Sequence, residues 1–123
     1  MNPNLETLIT KYPKILSSLR YGSFECGVGW NDLIDTLCLL IQSYIDTHDQ
    51  IPQVEALQIK EKFGGLRFYC NGGNEYINGM IRLAEELSYH ICDECGNKGE
   101  INESDQGVIA TRCIEHKIRT GWN

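Results

Sequence analysis

The sequence predicts an α+β fold: three main helices and a β-hairpin, followed by a C-terminal knuckle and hairpin module. Three observations carry that prediction. Apolar residues recur three or four apart in three segments. An alternating apolar and polar run is broken by Gly64-Gly65. Cysteine and histidine pairs bracket a turn-rich insert near the end. Residues 1–91 read as an α+β body and 92–123 as a module packed on it, forming one compact unit. A hydrophobic fraction of 41% supports a real core, and 9% aromatics argues against disorder.

Leu5, Leu8, Ile9, Tyr12, Ile15, Leu16 and Leu19 share one helical face. Pro13 removes a backbone donor inside that pattern, so the segment reads as two short helices or a kink, with Pro13 opening the second piece. Gly22, Gly27 and Gly29 break the loop that follows. From about Asn31 to His48, Leu33, Ile34, Leu37, Cys38, Ile41, Tyr44 and Ile45 form a stripe that Leu39 and Leu40 widen, which predicts a central helix. Cys38 lies on the buried face as a small hydrophobe. Trp30 reads as a plug at the start of this helix, or as an interface anchor in a glycine loop.

Residues 54–71 read as a hairpin, Val54–Phe63 and Leu66–Cys70 joined by Gly64-Gly65. A two-residue turn needs positive φ, which glycine adopts readily. That turn pairs Phe63 with Leu66, Lys62 with Arg67, Glu61 with Phe68 and Lys60 with Tyr69. Leu57, Ile59, Phe63, Leu66, Phe68 and Cys70 then share an apolar face opposite Gln58, Lys60, Lys62, Arg67 and Tyr69. Glu61 falls on the apolar side, so either it reaches an arginine such as Arg82 or the register differs. Asn74 is a fitting N-cap for the third helix, whose stripe is Tyr76, Ile77, Met80, Leu83, Ala84, Leu87 and Ile91.

That helix runs into Cys92-Asp93-Glu94-Cys95, followed by seventeen residues and Cys113-Ile114-Glu115-His116. A two-residue gap lets one tight turn present both side chains of a pair, and zinc takes four tetrahedral thiolate and imidazole ligands. Cys92, Cys95, Cys113 and His116 are therefore the expected ligands of a structural Zn2+, with a knuckle at Gly96 and a β-hairpin returning the second pair. His90 is the alternative fourth ligand, and a disulfide or idle thiols the alternative to a metal. Filling all four positions with protein leaves none for a catalytic water.

Formal charge is −6, and three thiolates on one Zn2+ would bring it to about −7. A polyanion repels such a chain, which disfavours general adhesion to nucleic acid. The charge is uneven: residues 21–56 hold six acidic side chains and no Lys or Arg, whereas 57–72 hold Lys60, Lys62 and Arg67 against Glu61 alone. No apolar run approaches the ~20 residues of a membrane span. No basic start with an apolar h-region opens the chain, and its six cysteines suit a reducing compartment, so a cytoplasmic setting is expected.

Cys26-Gly27-Val28-Gly29-Trp30, then Gln58 through Tyr69 (QIKEKFGGLRFY), then Cys92-x2-Cys95-Gly96 resembles a group of small proteins encoded in bacterial and phage genomes. The resemblance covers roughly residues 20–117 and is sharpest at KEKFGGLRFY. Where members often carry an acidic residue, this chain has Val28. The resemblance implies an α+β body with a zinc-binding tail and a phage or prophage setting, and it supplies no activity. The tail also resembles a treble-clef or zinc-ribbon knuckle, an architecture with many unrelated functions.

Three functions follow as expectations. The foremost is a binding protein, an accessory factor that inhibits a host protein such as a defence enzyme, with Trp30 and the acidic Asp32, Asp35, Asp46 and Asp49 at the contact. In the host cytoplasm its partner would be a protein. The second is nucleic-acid binding through Lys60, Lys62, Arg67 and Tyr69, helped by Lys98, Arg112, Lys117 and Arg119 near the metal. The third is sequestration of a nucleotide-like ligand by the same cations. Cys26 and His48 are a conceivable nucleophile pair with no sequence tie, and no G-x-S-x-G, P-loop or H-E-x-x-H spacing is present. The sequence therefore predicts binding and not catalysis.

Overall fold

The first helix, α1 (Leu5–Lys11), ends just before Pro13, and α2 (Pro13–Leu16) begins on that proline. The computed structural model describes residues 4–117, and among these it has the expected α+β class. A 3₁₀ turn, Ser17–Arg20, completes the N-terminal arm, whose Leu8, Ile9, Ile15, Leu16 and Leu19 are buried.

A strand the periodicity did not reveal, β1 (Ser23–Glu25), follows; three residues are too few for alternation to register. It lies parallel to β2 (Glu55–Lys62), reached through helix α3 (Asn31–Thr47), a crossover of the kind parallel pairing requires. Strand β3 (Gly65–Asn71) pairs antiparallel on the far side of β2, giving the order β1-β2-β3. Helix α4 (Glu75–Ser88) starts at Asn74, whose Oδ1 accepts the Ile77 amide at 3.1 Å, the expected cap. Phe24, Ile59, Leu66 and Phe68 from the sheet meet Ile15, Leu16, Trp30, Ile34, Ile41 and Ile77 in one core.

The hairpin turn comes one residue earlier than expected, which moves each cross-strand partner by two residues. Its turn is Phe63-Gly64, with φ of 52° and 87°, so Lys62 pairs with Gly65, Glu61 with Leu66 and Lys60 with Arg67. Glu61 does not need Arg82, because its carboxylate accepts the Gly64 amide at 2.6 Å and so holds the turn from within. A bulge at Leu57 shifts the pairing between Ala56 and Gln58, which turns Ala56 inward and leaves Leu57 exposed. Phe63, expected on the apolar face, is 65% exposed at the tip.

Two helix stripes also differ. On α3 the buried residues are Ile34, Leu37, Cys38 and Ile41, while Leu39 and Leu40 are about half exposed, so this helix is a surface helix and not a central one. On α4 the buried residues are Ile77, Ile81, Ala84 and Ser88, whereas Tyr76, Leu83 and Leu87 face outward. The cause lies in the outer edge of β3. The Leu66 amide donates to Ser88 Oγ at 2.8 Å and the Phe68 amide to Glu85 Oε2 at 2.9 Å. Satisfying those strand donors brings Ser88 and Glu85 against the strand edge and leaves Tyr76, Leu83 and Leu87 facing outward.

Candidate metal centre

Beyond α4 the chain tightens into a knuckle. The Cys92 amide donates to Asn97 O at 2.7 Å and the Gly96 amide to Cys92 O at 2.9 Å, with Gly96 at φ 83°. Strands β4 (Glu100–Glu103) and β5 (Ile109–Arg112) form the expected return hairpin, and a 3₁₀ turn, Ile114–His116, then presents the second pair. Cys92, Cys95, Cys113 and His116 converge, their ligand atoms all within 4.8 Å of one another.

Cys95 Sγ and Cys113 Sγ are 3.7 Å apart, and His116 Nδ1 lies 3.8 Å from Cys92 Sγ and 3.2 Å from Cys113 Sγ. A tetrahedral ion held at zinc's usual bond lengths would need edges of about 3.8 Å between sulfurs and about 3.6 Å from sulfur to nitrogen. The donor set fits such an ion, and sulfurs at 3.7 Å are far from a disulfide bond. His116, not His90, completes the set; His90 is an exposed residue after α4 whose carbonyl accepts the Gly99 amide at 2.9 Å. Desolvation raises the Cys113 thiol, but hydrogen bonds from His116, then Cys95, outweigh it and bring it to about 7.

The knuckle is seated in the body. The Gly29 amide donates to Asp93 O at 2.9 Å, and Trp30 Nε1 donates to Ile91 O at 2.9 Å. A Cβ on Gly27 would overlap the Asp93 carbonyl, and one on Gly29 would overlap the Cys92 carbonyl. Opposite, Thr111 Oγ1 donates to Gly64 O at 2.6 Å, and Gly65 packs where a Cβ would strike the Tyr89 ring. Arg112 Nε reaches Asp93 Oδ1 at 2.5 Å and its Nη2 lies 3.5 Å from Glu94. Burial still pushes the Asp93 carboxyl above the ordinary carboxylate range, although Arg112 pulls the other way. The glycine loop, the hairpin turn and the metal knuckle thus meet in one seam.

Other candidate residues separate. Trp30 is wholly buried, which overturns its reading as an interface anchor. Lys60, Lys62, Arg67 and Tyr69 do share the outer face of the sheet, but Glu25 stands opposite Lys60. Arg67 is spent on Leu66 O at 2.9 Å and Tyr89 Oη at 3.1 Å, and Lys62 sits 5.8 Å from the Phe63 ring. Asp32 is exposed, whereas Asp35 accepts from Lys11 Nζ at 2.6 Å and from the Tyr12 hydroxyl. Burial pushes the Cys26 thiol up to about 12, helped by Asp93 and Glu61. His48 stacks on Tyr44 at the other end of α3, about 25 Å of helix away. The imagined Cys26–His48 pair therefore does not form. Arg119 lies outside the described residues, as does Trp122, which the sequence leaves as a cap or a partner contact.

Beside the seam a cleft of about 730 Å³ is lined by Glu25, Glu61, Asp93 and Glu94 with Arg112 as its cation. No helix among the described residues is long and apolar enough to cross a membrane. In comparisons with known proteins, the chain matches no family model, no curated sequence and no solved structure.

Proposed function

We propose that this chain is a small zinc-stapled binding protein, a phage or prophage accessory factor that docks on a host protein, such as a defence enzyme, and inhibits it. The observation that carries the reading is the closed Cys92, Cys95, Cys113 and His116 set, seated by Gly27 and Gly29 in a seam of close backbone contacts. Three sulfurs and one imidazole favour zinc. With no position left for substrate or water, zinc when bound supplies a crosslink between the knuckle and the return strand. The remaining chemistry of the chain is surface.

That surface favours a protein partner over the other expectations. The basic hairpin face is answered by Glu25 and by the internal bonds of Arg67, which leaves a phosphate backbone little to track. An anionic nucleotide in the cleft would meet Glu25, Glu61, Asp93 and Glu94, and the one arginine there already pairs with two of them.

Affinity capture of the tagged chain from a bacterial host lysate tests this, with eluates read by mass spectrometry and by ultraviolet absorbance ratio. A stoichiometric protein that survives moderate salt is the expected result. Nucleic acid eluting as the main component, lost with added salt, would overturn it.

A further inference from the structure

We propose that the exposed flank of the α3–α4 pair is a docking groove for an amphipathic helix with basic margins, presented by a partner protein. The proposal deepens the binding reading above and rests on it. Tyr44 stacks on Tyr76 with ring centroids 4.4 Å apart, and Trp30 Nε1 bonds Ile91 O at the other end. The helices therefore run antiparallel, and that register sets Leu40 near Met80 and Leu33 near Leu87. Leu40, Tyr76, Leu83 and Leu87 are 51%, 62%, 61% and 43% exposed, while Leu33, Tyr44 and Met80 are partly buried between them. Two antiparallel helices with an open apolar seam between them form the groove into which a third amphipathic helix packs.

Charge selects the occupant. Helix α3 carries no Lys or Arg and α4 carries Arg82 alone, whereas Asp32, Asp46, Glu75 and Glu86 are exposed on the two helices. A second copy of this chain would bring acidic margins against acidic margins, and an anionic lipid surface would be repelled for the same reason. A helix flanked by Lys or Arg fits both the seam and its rim.

The test uses the full zinc-loaded chain and two synthetic helical peptides with the same leucine face, one flanked by lysine and one by glutamate. Fluorescence anisotropy is expected to show the lysine peptide binding at least about tenfold tighter. Leu83→Glu should weaken it by about tenfold or more, and Leu39→Glu, turned about 100° around α3 from Leu40 and away from α4, should not. Because Leu83→Glu adds a carboxylate, simple charge attraction would strengthen binding in that variant, so a loss reports apolar docking. Circular dichroism melts confirm that both variants fold. Equal binding by the parent and Leu83→Glu chains, or no preference between peptides, would overturn the proposal. So would a parent dimer that Leu83→Glu dissociates in sedimentation, which would give the groove to a second copy. A lysate partner retained by Leu83→Glu overturns this groove while the docking reading stands; loss of both peptide and partner binding in the parent chain removes the two together.

Discussion

The amide of Gly29 donates to the carbonyl of Asp93 at 2.9 Å, tying a glycine loop to a metal knuckle far along the chain. The contact is possible only because neither loop glycine carries a Cβ. Gly27 faces the Asp93 carbonyl and Gly29 the Cys92 carbonyl, both backbone atoms that cannot rotate away. Alanine at either position is expected to cost about 1–3 kcal/mol in urea unfolding and to weaken metal retention. Gly79, inside α4 with open space around it, gives the opposite sign: Gly79→Ala should stabilise by about 0.5–1 kcal/mol. A Gly29→Ala protein as stable as its parent would show that the seam is looser than its geometry.

Metal removal should act on the same seam. Zinc at a hundredfold its Kd adds about 2.7 kcal/mol to a chain that binds it only when folded. The melting temperature of the parent is expected to rise with free zinc and to fall on chelation. Cys113→Ala should lose that dependence, and His90→Ala should keep it, since His90 stands outside the ligand set. Cobalt substitution gives an independent readout: tetrahedral thiolate absorption bands in the parent, absent in Cys113→Ala.

Asp35 predicts a pH dependence that does not involve the seam. Hydrogen bonds from Lys11 and then Tyr12 hold its carboxyl below the ordinary range, and burial, then Asp35, pushes the Tyr12 hydroxyl up to about 12. A lowered carboxylate contributes stability above its unfolded value of about 3.9 and loses it as pH falls through the folded one. A raised phenol contributes below its unfolded value of about 10 and loses it as pH rises towards 12. Stability should therefore be flat between those limits with respect to this pair and decline outside them. Asp35→Asn is expected to cost about 1–2 kcal/mol near neutrality and to flatten both slopes, as read by urea titrations across pH.

The parts of this fold that are legible in sequence are those set by neighbours in the chain. The cluster of Cys92, Cys95, Cys113 and His116 declares itself because two-residue gaps and a hairpin are local geometry, and Asn74 declares itself as a cap for the same reason. The hairpin register does not. Gly64-Gly65 looks like the turn, yet Gly65 is reserved for the Tyr89 ring and Phe63 takes the left-handed position with Glu61 bracing Gly64. The α4 stripe misleads in the same way: Leu83 and Leu87 follow the helical period, but the donors on β3 decide which side turns inward. Gly29 reads only as a loop breaker, and Trp30 as either a helix plug or an interface anchor, until the knuckle they receive is in place.

The edge of β3 carries the last prediction. Strand β3 ends the sheet, and its outward Leu66 and Phe68 amides would otherwise be open to pairing with another chain. Ser88 Oγ and Glu85 Oε2 occupy both, and Ser88 Oγ also donates to Glu85 O at 2.5 Å, so the hydroxyl serves helix and strand together. Leu66 and Ser88 are both fully buried, so Ser88→Ala leaves a strand donor without a partner and water cannot replace it. The expected cost is about 1–3 kcal/mol, with faster hydrogen exchange at the Leu66 amide. Glu85→Ala should speed exchange at Phe68 with a smaller loss, because Glu85 is only partly buried. The double variant opens the whole edge and is expected to self-associate in sedimentation at concentrations where the parent does not. If it stays unassociated, the protection of this edge rests on the body of α4 lying over it and not on these two side chains.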